Sequence, residues 1–499
     1  MNHCLIFSIN NGVFDRSAGA HRIASHLRLQ NWDAEVIDFV DFWKLEELQE
    51  LIRSRVNENT KFFGFSFLFN RSSVDHFFSP LCDWIRKTYP DIVLISGSQA
   101  ILLNLEPVHY HIVGYGEYAV IELLKYLFDG GTKPKFDIAL SKGKTKVINA
   151  LHSYPAYPFL NPTIKYENRD FIMPGEWGRI EFSRGCKFKC LYCNYPILGV
   201  KNDHTRTVEG AREQMLDAYD RFGIENYVVT DETFNDRTEK ITKYADMVET
   251  LSWKPYFSGY IRADLLISRP KDREELLRMG FLGHFYGIET FNPDTAKIIG
   301  KGMHPEKVQK GLLEVKDYFK SRVGKKYRAL IAVIGGLPKE TLQSLEQTKK
   351  WLNKNWMDQV TMASALEINS LNDHRPSTLS LDYSKYGYRE IFLNESDEYG
   401  EQSKSIIMHG SIKSISWEND NMNILQAAEW AEEIDNMYKL GGHDLQKIDP
   451  FYLSRILCDN KGDIISLEKK LSLVAKTSDE YYANFYKFVE EYKKKKLSI

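Results

Sequence analysis

The sequence predicts an α/β protein: a doubly wound parallel sheet, then a second run of strand and helix repeats, then a mainly helical C-terminal region. Three observations carry this. Over residues 1–145 short apolar runs alternate with amphipathic stretches of helical length, the pattern of βαβ units. The alternation stops at a crossing rich in proline and aromatics, Tyr154-Pro-Ala-Tyr-Pro158 and Asn161-Pro162, which suits neither a helix nor a central strand. It resumes at Gly178 with six further apolar runs, and beyond residue 368 the periodicity becomes helical. A chain of 499 residues accommodates two or three domains. The expected division is 1–145, a linker at 146–177, 178–368 and 369–499.

In the first segment strands are expected at 4–9, 34–39, 62–69, 92–96 and 111–115, with helices at 17–30, 43–55, 74–87 and 118–127. Parallel sheets bind ligands at the carboxyl ends of their strands. The tips on that edge are Asn10-Asn-Gly12, Ser66, Ser96-Gly-Ser-Gln99 and Gly114-Tyr-Gly-Glu117. Small residues there admit a large flat or anionic ligand close to the backbone, and they serve equally as plain turns. In the third segment strands fall at 179–183, 226–230, 255–262, 283–288, 328–334 and 359–365, each ending in polar or glycine residues. Helices follow at 422–440 and 465–476, and the lysine run 493–496 reads as a solvated end.

The hydrophobic fraction of 43% and charged fraction of 27% are those of an ordinary globular protein. Lys and Arg total 66 against 68 Asp and Glu, a net charge of -2 that leaves no electrostatic footprint for nucleic acid or an anionic membrane. No stretch approaches the roughly 20 apolar residues of a membrane span. The N-terminal apolar run has no basic leader, so a cytoplasmic location is expected. Six cysteines, three of them clustered, suit a reducing compartment and metal binding rather than a disulfide framework.

The clustered cysteines stand in Ser183-Arg-Gly-Cys-Lys-Phe-Lys-Cys-Leu-Tyr-Cys-Asn194, a CxxxCxxC pattern. Thiolates so spaced can converge on zinc, copper(I) or an iron–sulfur cluster. Structural zinc needs a fourth Cys or His, and a ferredoxin-type cluster takes four cysteines. Cys4, Cys82 and Cys458 are scattered without such pairing. Three ligands on a four-iron cluster leave one iron open, which is a catalytic arrangement. A zinc knuckle or three free thiols are the bland alternative.

This stretch resembles the radical S-adenosylmethionine superfamily, whose hallmark is CxxxCx-aromatic-C after the first barrel strand, with Tyr192 as the aromatic. The resemblance implies a partial (β/α)6 TIM-type barrel over 178–368 and a 4Fe-4S cluster on Cys186, Cys190 and Cys193. It also implies that S-adenosylmethionine chelates the open iron and is cleaved to methionine and a 5'-deoxyadenosyl radical, with electrons from a reductant such as flavodoxin or ferredoxin.

Further family-like motifs follow in order. Asp231-Glu-Thr-Phe-Asn235 lies where the family holds the cofactor amino group, which makes Asp231 and Glu232 candidates against the alternative of a helix cap. Gly259-Tyr-Ile-Arg-Ala-Asp264 resembles the RxD turn, with Arg262 toward a ligand carboxylate or simply toward Asp264. Tyr286-Gly-Ile-Glu-Thr290 is similar to GIES, which puts Glu289 near the ribose hydroxyls or amino group, and a carboxylate accepts such donors well. Ile334-Gly-Gly-Leu-Pro-Lys-Glu-Thr341 is nearly GLPGET. There Gly335 and Gly336 would admit the adenine, and Lys339 in place of a glycine points to a loop of different shape. Tyr192 completes the expected contacts in the barrel.

The first segment resembles the Rossmann-like cobalamin-binding domain of cobalamin-dependent members, with Ser96, Gly97, Gly114, Gly116 and Glu117 as expected contacts and GYGE standing for GEGE. The DxHxxG motif that supplies an axial histidine in many cobalamin domains is absent, as in many radical members. His21 reads as a solvated or capping residue. With cobalamin, the resemblance implies methyl transfer to an unactivated carbon of a substrate that the motifs do not name. Without it, rearrangement, cyclisation or dehydrogenation is implied. A methylthiotransferase fits poorly, because that family needs three further cysteines in the first domain. A non-catalytic zinc-binding or scaffold protein would leave Glu289 and the 335–341 turn unexplained. His374, Arg375 and Ser377 are candidates to reach the barrel mouth, and Trp417-Glu-Asn-Asp-Asn421 resembles a stretch near the end of some cobalamin-type members.

Overall fold

Strands β1 (Asn2–Ile9), β2 (Trp32–Ile37), β3 (Thr60–Phe67), β4 (Val93–Ser98), β5 (Tyr110–Val113) and β6 (Lys146–Asn149) form one parallel sheet in the order β2-β1-β3-β4-β5-β6. The computed structural model describes residues 1–9, 16–67, 75–98, 106–141, 143–151, 163–173, 176–198, 204–368, 377–391, 415–440 and 478–499. Along β1 the side chains of Leu5, Phe7 and Ile9 enter one core while Cys4 and Ile6 enter the other, the period of two that a sheet covered on both faces requires. Helices α1 (Ala18–Leu29) and α4 (Glu117–Phe128) cover the Cys4 face. Helices α2 (Leu45–Arg55) and α3 (Asp75–Thr88) cover the Leu5 face.

Three expectations for this region change. Residues 146–149, expected in the linker, form β6 beside β5, so the first domain extends through Asn149. His21 is not solvated: it is buried on the inner side of α1, with Nε2 3.1 Å from both carboxylate oxygens of Asp38. The lysine run 493–496 is not a solvated end, because the last helix, Ser478–Leu497, lies on the first domain beside α2 and α3, with Phe485, Phe488, Val489 and Tyr492 in their core. Lys493 and Lys496, three apart and so on one helical face, are buried, and Lys496 Nζ meets Glu35 at 2.8 Å.

The second sheet contains β7 (Gly178–Ile180), β8 (Tyr227–Val229), β9 (Phe257–Tyr260), β10 (Phe281–Glu289), β11 (Arg328–Gly335) and β12 (Val360–Ala365), parallel and in sequential order. The crossovers carry α5 (Val208–Phe222), α6 (Thr238–Glu249), α7 (Pro270–Met279), α8 (Pro305–Val323) and α9 (Leu342–Asn355). β7 and β12 are the two edges, so the barrel is partial, as the motifs implied. Local chemistry sets the helix limits. Thr207 caps α5 by accepting from the Gly210 amide, and Gly223 ends it at φ +66. Thr341 and Ser344 exchange side-chain to backbone bonds at the start of α9.

The C-terminal region contributes α10 (Ile424–Leu440), which packs on β12. The tips at 10–12 and Gln99, the proline crossing, Cys458, His374, Arg375 and the expected helix at 465–476 lie outside the described residues. Among the described residues no helix is long and apolar enough to cross a membrane.

Candidate cofactor sites

The chain leaves β7 through Ser183–Arg184, pairs there with His204–Thr205, and turns at Gly185 (φ +103) into the cysteine loop. All three thiols line one cavity of about 260 Å³, together with Tyr192, Glu232, Arg262 and Glu289. Each sulfur has a neighbouring donor: Cys193 Sγ accepts the Tyr195 amide at 3.4 Å, Cys190 Sγ accepts Arg262 Nη1 at 3.8 Å, and Cys186 Sγ accepts the Phe188 amide, with Thr233 Oγ1 3.7 Å away and donating to the Glu232 carbonyl. Donors aimed at sulfur suit thiolates bound to an iron–sulfur cluster. Burial, with smaller contributions from the neighbouring thiols and Glu289, holds the Cys193 thiol up at about 12 against the pull of the Tyr195 amide, and cationic iron is what would ionise it. Among the described residues no group of three His, Cys, Asp or Glu side chains is placed to hold a single metal ion, whereas in a cubane each thiolate binds its own iron.

The carboxylates expected as contacts divide. Glu289 faces the cavity at a register slip in β10, where its backbone takes φ +69. A bulge of this kind re-aims a side chain, and a left-handed non-glycine residue is strained. Tyr192 donates to its Oε1 at 2.8 Å, and Lys301 Nζ stands 3.6 Å away. Asp231 lies behind the loop instead, accepting the Phe182 amide at 2.8 Å and the Ser183 hydroxyl at 2.6 Å. It braces the strand that carries the cysteines and does not line the cavity. Its burial raises its carboxyl to about 6 against the pull of Lys240. Arg262 forms a two-point pair with Asp264 at 2.9 and 2.6 Å and lies on the Phe188 ring at 3.7 Å.

The 335–341 turn departs further from expectation. A Cβ on Gly335 would meet the Trp430 ring at 2.7 Å, and one on Gly336 would collide with the Trp417 ring. These glycines admit indoles of the C-terminal region, and neither lines the cluster cavity. This gives the Trp417 stretch a packing role, with its Nε1 bonded to the Leu366 carbonyl at 2.8 Å. Lys339 takes φ +68, so the turn keeps a left-handed residue without a glycine. Ser377 caps a short helix, Thr378–Leu381, by accepting from the Ser380 amide.

In the first domain a cavity of about 330 Å³ opens at the carboxyl ends of β1, β3, β4 and β5, lined by Ser96, Gly97, Gly114, Gly116 and Glu117 among others. Its walls are mostly apolar, and a Cβ on Gly97 or Gly116 would stand in contact with Ile112 or Ile23. Glu181, Thr230 and Glu232 of the barrel close its far side. Glu232 therefore lines both cavities. Its Oε2 is buried with no hydrogen-bond partner among the described residues, and burial, then Glu181, raise its carboxyl to about 7. Tyr115, Tyr195, Glu181 and Lys301 join these walls without having been singled out as contacts. Tyr115 lay inside a quoted motif, whereas nothing in the sequence marked Lys301.

The Radical SAM superfamily profile matches residues 180–352. An uncharacterized methyltransferase of Pyrococcus horikoshii is 26% identical over 237 residues, 46% of this chain and 49% of that protein, so the chain matches about half the length of that relative. The radical S-adenosylmethionine methyltransferase TsrM from Kitasatospora setae, with tryptophan substrate and an S-adenosylmethionine analogue bound, superposes with a TM-score of 0.63 at 12% identity, covering 98% of both chains. The cobalamin-dependent S-adenosylmethionine radical enzyme OxsB with aqua-cobalamin bound superposes with a TM-score of 0.57 at 14% identity, covering 99% of this chain and 80% of that one. At these identities the likeness is one of fold, across both domains. The three-cysteine cavity, the motifs in order and the match over 180–352 together identify the barrel of this chain as a radical S-adenosylmethionine superfamily domain.

Proposed function

We propose that the chain is a cobalamin-dependent radical S-adenosylmethionine enzyme that transfers a methyl group to carbon. The observation that carries this is the shared wall: two ligand cavities, each at the carboxyl ends of a parallel sheet, meet at Glu232. The named function of TsrM and the cobalamin bound in OxsB, both of the same fold, support the reading.

Cys186, Cys190 and Cys193 would hold a 4Fe-4S cluster, and the first-domain cavity would hold part of cobalamin. When bound, these groups supply the electron for S-adenosylmethionine cleavage and a carrier for the methyl group. The chain supplies position. Glu289, fixed by Tyr192, offers acceptors to the hydroxyl or amino groups of S-adenosylmethionine. Glu232, its carboxyl raised by burial and by Glu181, holds or releases a proton at Oε2 for a group entering from either side. Apolar walls, Phe188, Tyr260, Ile261 and Phe285 among them, limit the water that reaches the cluster cavity. A protein reductant and a substrate complete the system.

Anaerobic reconstitution with iron, sulfide and hydroxocobalamin, followed by desalting and metal counting, tests the reading. Roughly four irons and one cobalt per chain are expected. Iron without cobalt would move the chemistry to a cobalamin-independent radical reaction, and zinc without iron would sink the enzymatic reading.

A further inference from the structure

Arg184 stands two residues before the first cluster cysteine, yet its side chain points away from the cluster into the contact between the two domains. It meets Glu117 of the first domain through Nη2, and Glu181 of the barrel through Nε at 3.1 Å. Arg22 closes the figure from the other side, with Nη2 2.9 Å from Glu181 and Nε 3.7 Å from Glu117. The result is a square of alternating charge in which each domain contributes one arginine and one glutamate. All four side chains are nearly buried, from 5% to 12% exposed. Arg22, Glu117 and Glu181 also line the first-domain cavity.

The same guanidinium lies 4.3 Å from the centre of the Tyr115 ring. The Tyr115 hydroxyl is 2.9 Å from that of Tyr195, whose backbone amide donates to Cys193 Sγ. A single side chain thus grips both ends of the turn from Tyr115 to Glu117, and that turn touches the cysteine loop. The neighbouring Gly114, at φ +95 with a would-be Cβ 2.9 Å from the Leu151 backbone nitrogen, leaves this turn little room to settle elsewhere.

Resting on the reading of the two cavities as cofactor sites, we infer that Arg184 is a positioning residue: it pins the Gly114–Glu117 turn to the cluster loop and so sets the separation of the two cofactors. Desolvated charges stay in place only when paired, so the square resists any sliding of one domain past the other. A lysine at 184 keeps the charge but loses the planar fork and the ring contact.

The test has two arms. In the first, hydrogen exchange is followed by mass spectrometry on the full chain without cofactors, for the parent and for Arg184→Lys, Arg184→Met and Glu117→Gln. Amides at 114–120 are expected to exchange at least about tenfold faster in each variant, with β10 unchanged. Arg184→Lys serves as the informative variant if Arg184→Met fails to fold. Unchanged protection at 114–120 in the soluble variants overturns the inference. In the second arm, iron- and cobalamin-loaded protein is reduced, and the magnetic broadening of the cobalt(II) signal by the cluster is read by electron paramagnetic resonance. A changed broadening in Arg184→Lys at parental iron content supports the role, and an unchanged one overturns it, since a purely structural role would leave the spin separation alone. A parent protein that retains no cobalt refutes the cofactor reading, while the exchange arm still judges the pin.

Discussion

Replacing Glu340 with glutamine tests how the turn after β11 is held. Glu340 is 1% exposed, receives the Thr290 hydroxyl on Oε1, and has no hydrogen-bond partner for Oε2 among the described residues. Burial raises its carboxyl from 4.5 to about 8. Because the folded-state value is the higher one, the folded protein keeps a proton that the unfolded chain gives up. Stability from this group is therefore complete below pH 4.5, falls as pH rises through the window to about 8, and is level above it. Each unit is worth about 1.4 kcal/mol, so raising the pH from 5 to 7.5 removes roughly 3 kcal/mol. Glutamine keeps an acceptor for Thr290 and does not titrate. Urea unfolding of parent and Glu340→Gln at a series of pH values reads the difference. The variant is expected to gain on the parent steadily from pH 5 to 7.5, by roughly 3 kcal/mol in all. Two pH profiles that run parallel would refute the reasoning.

Two further substitutions probe the same turn. Gly336→Ala puts a Cβ against Trp417 at a φ of +89, and a loss of at least about 2 kcal/mol is expected in urea unfolding; an unchanged midpoint would contradict the packing described. Lys339→Gly relieves a left-handed lysine at φ +68 and is expected to gain about 1 kcal/mol; a loss there would mean that the lysine side chain matters more than its backbone.

What the sequence revealed follows from range. The three cysteines, the strand-ending motifs and the βα alternation are local patterns, and they gave the barrel, the first sheet and the convergence of the three thiols on one cavity. Contacts between distant segments left no such mark. Gly335 and Gly336 look like an adenine cradle until Trp430 and Trp417 fill the space, and those indoles come from some eighty to ninety-five residues downstream. Lys493 and Lys496 read as a solvated run because their partners, Glu47 and Glu35, lie at the other end of the chain. Strand β6 is short, with Lys146 and Asn149 flanking only two apolar residues, so periodicity could not raise it above the linker. Arg262 pairs with Asp264 and at the same time lines the cluster cavity, an arrangement that a short motif does not display.

The central claim is that three cysteines hold a cluster with one iron left open. The most direct measurement is the electron paramagnetic resonance spectrum of the reduced, reconstituted protein before and after S-adenosylmethionine is added. A low-potential cluster signal whose g-values shift on addition is expected, with the signal absent when Cys186, Cys190 or Cys193 is replaced by serine. A full iron complement whose spectrum ignores S-adenosylmethionine would contradict the claim.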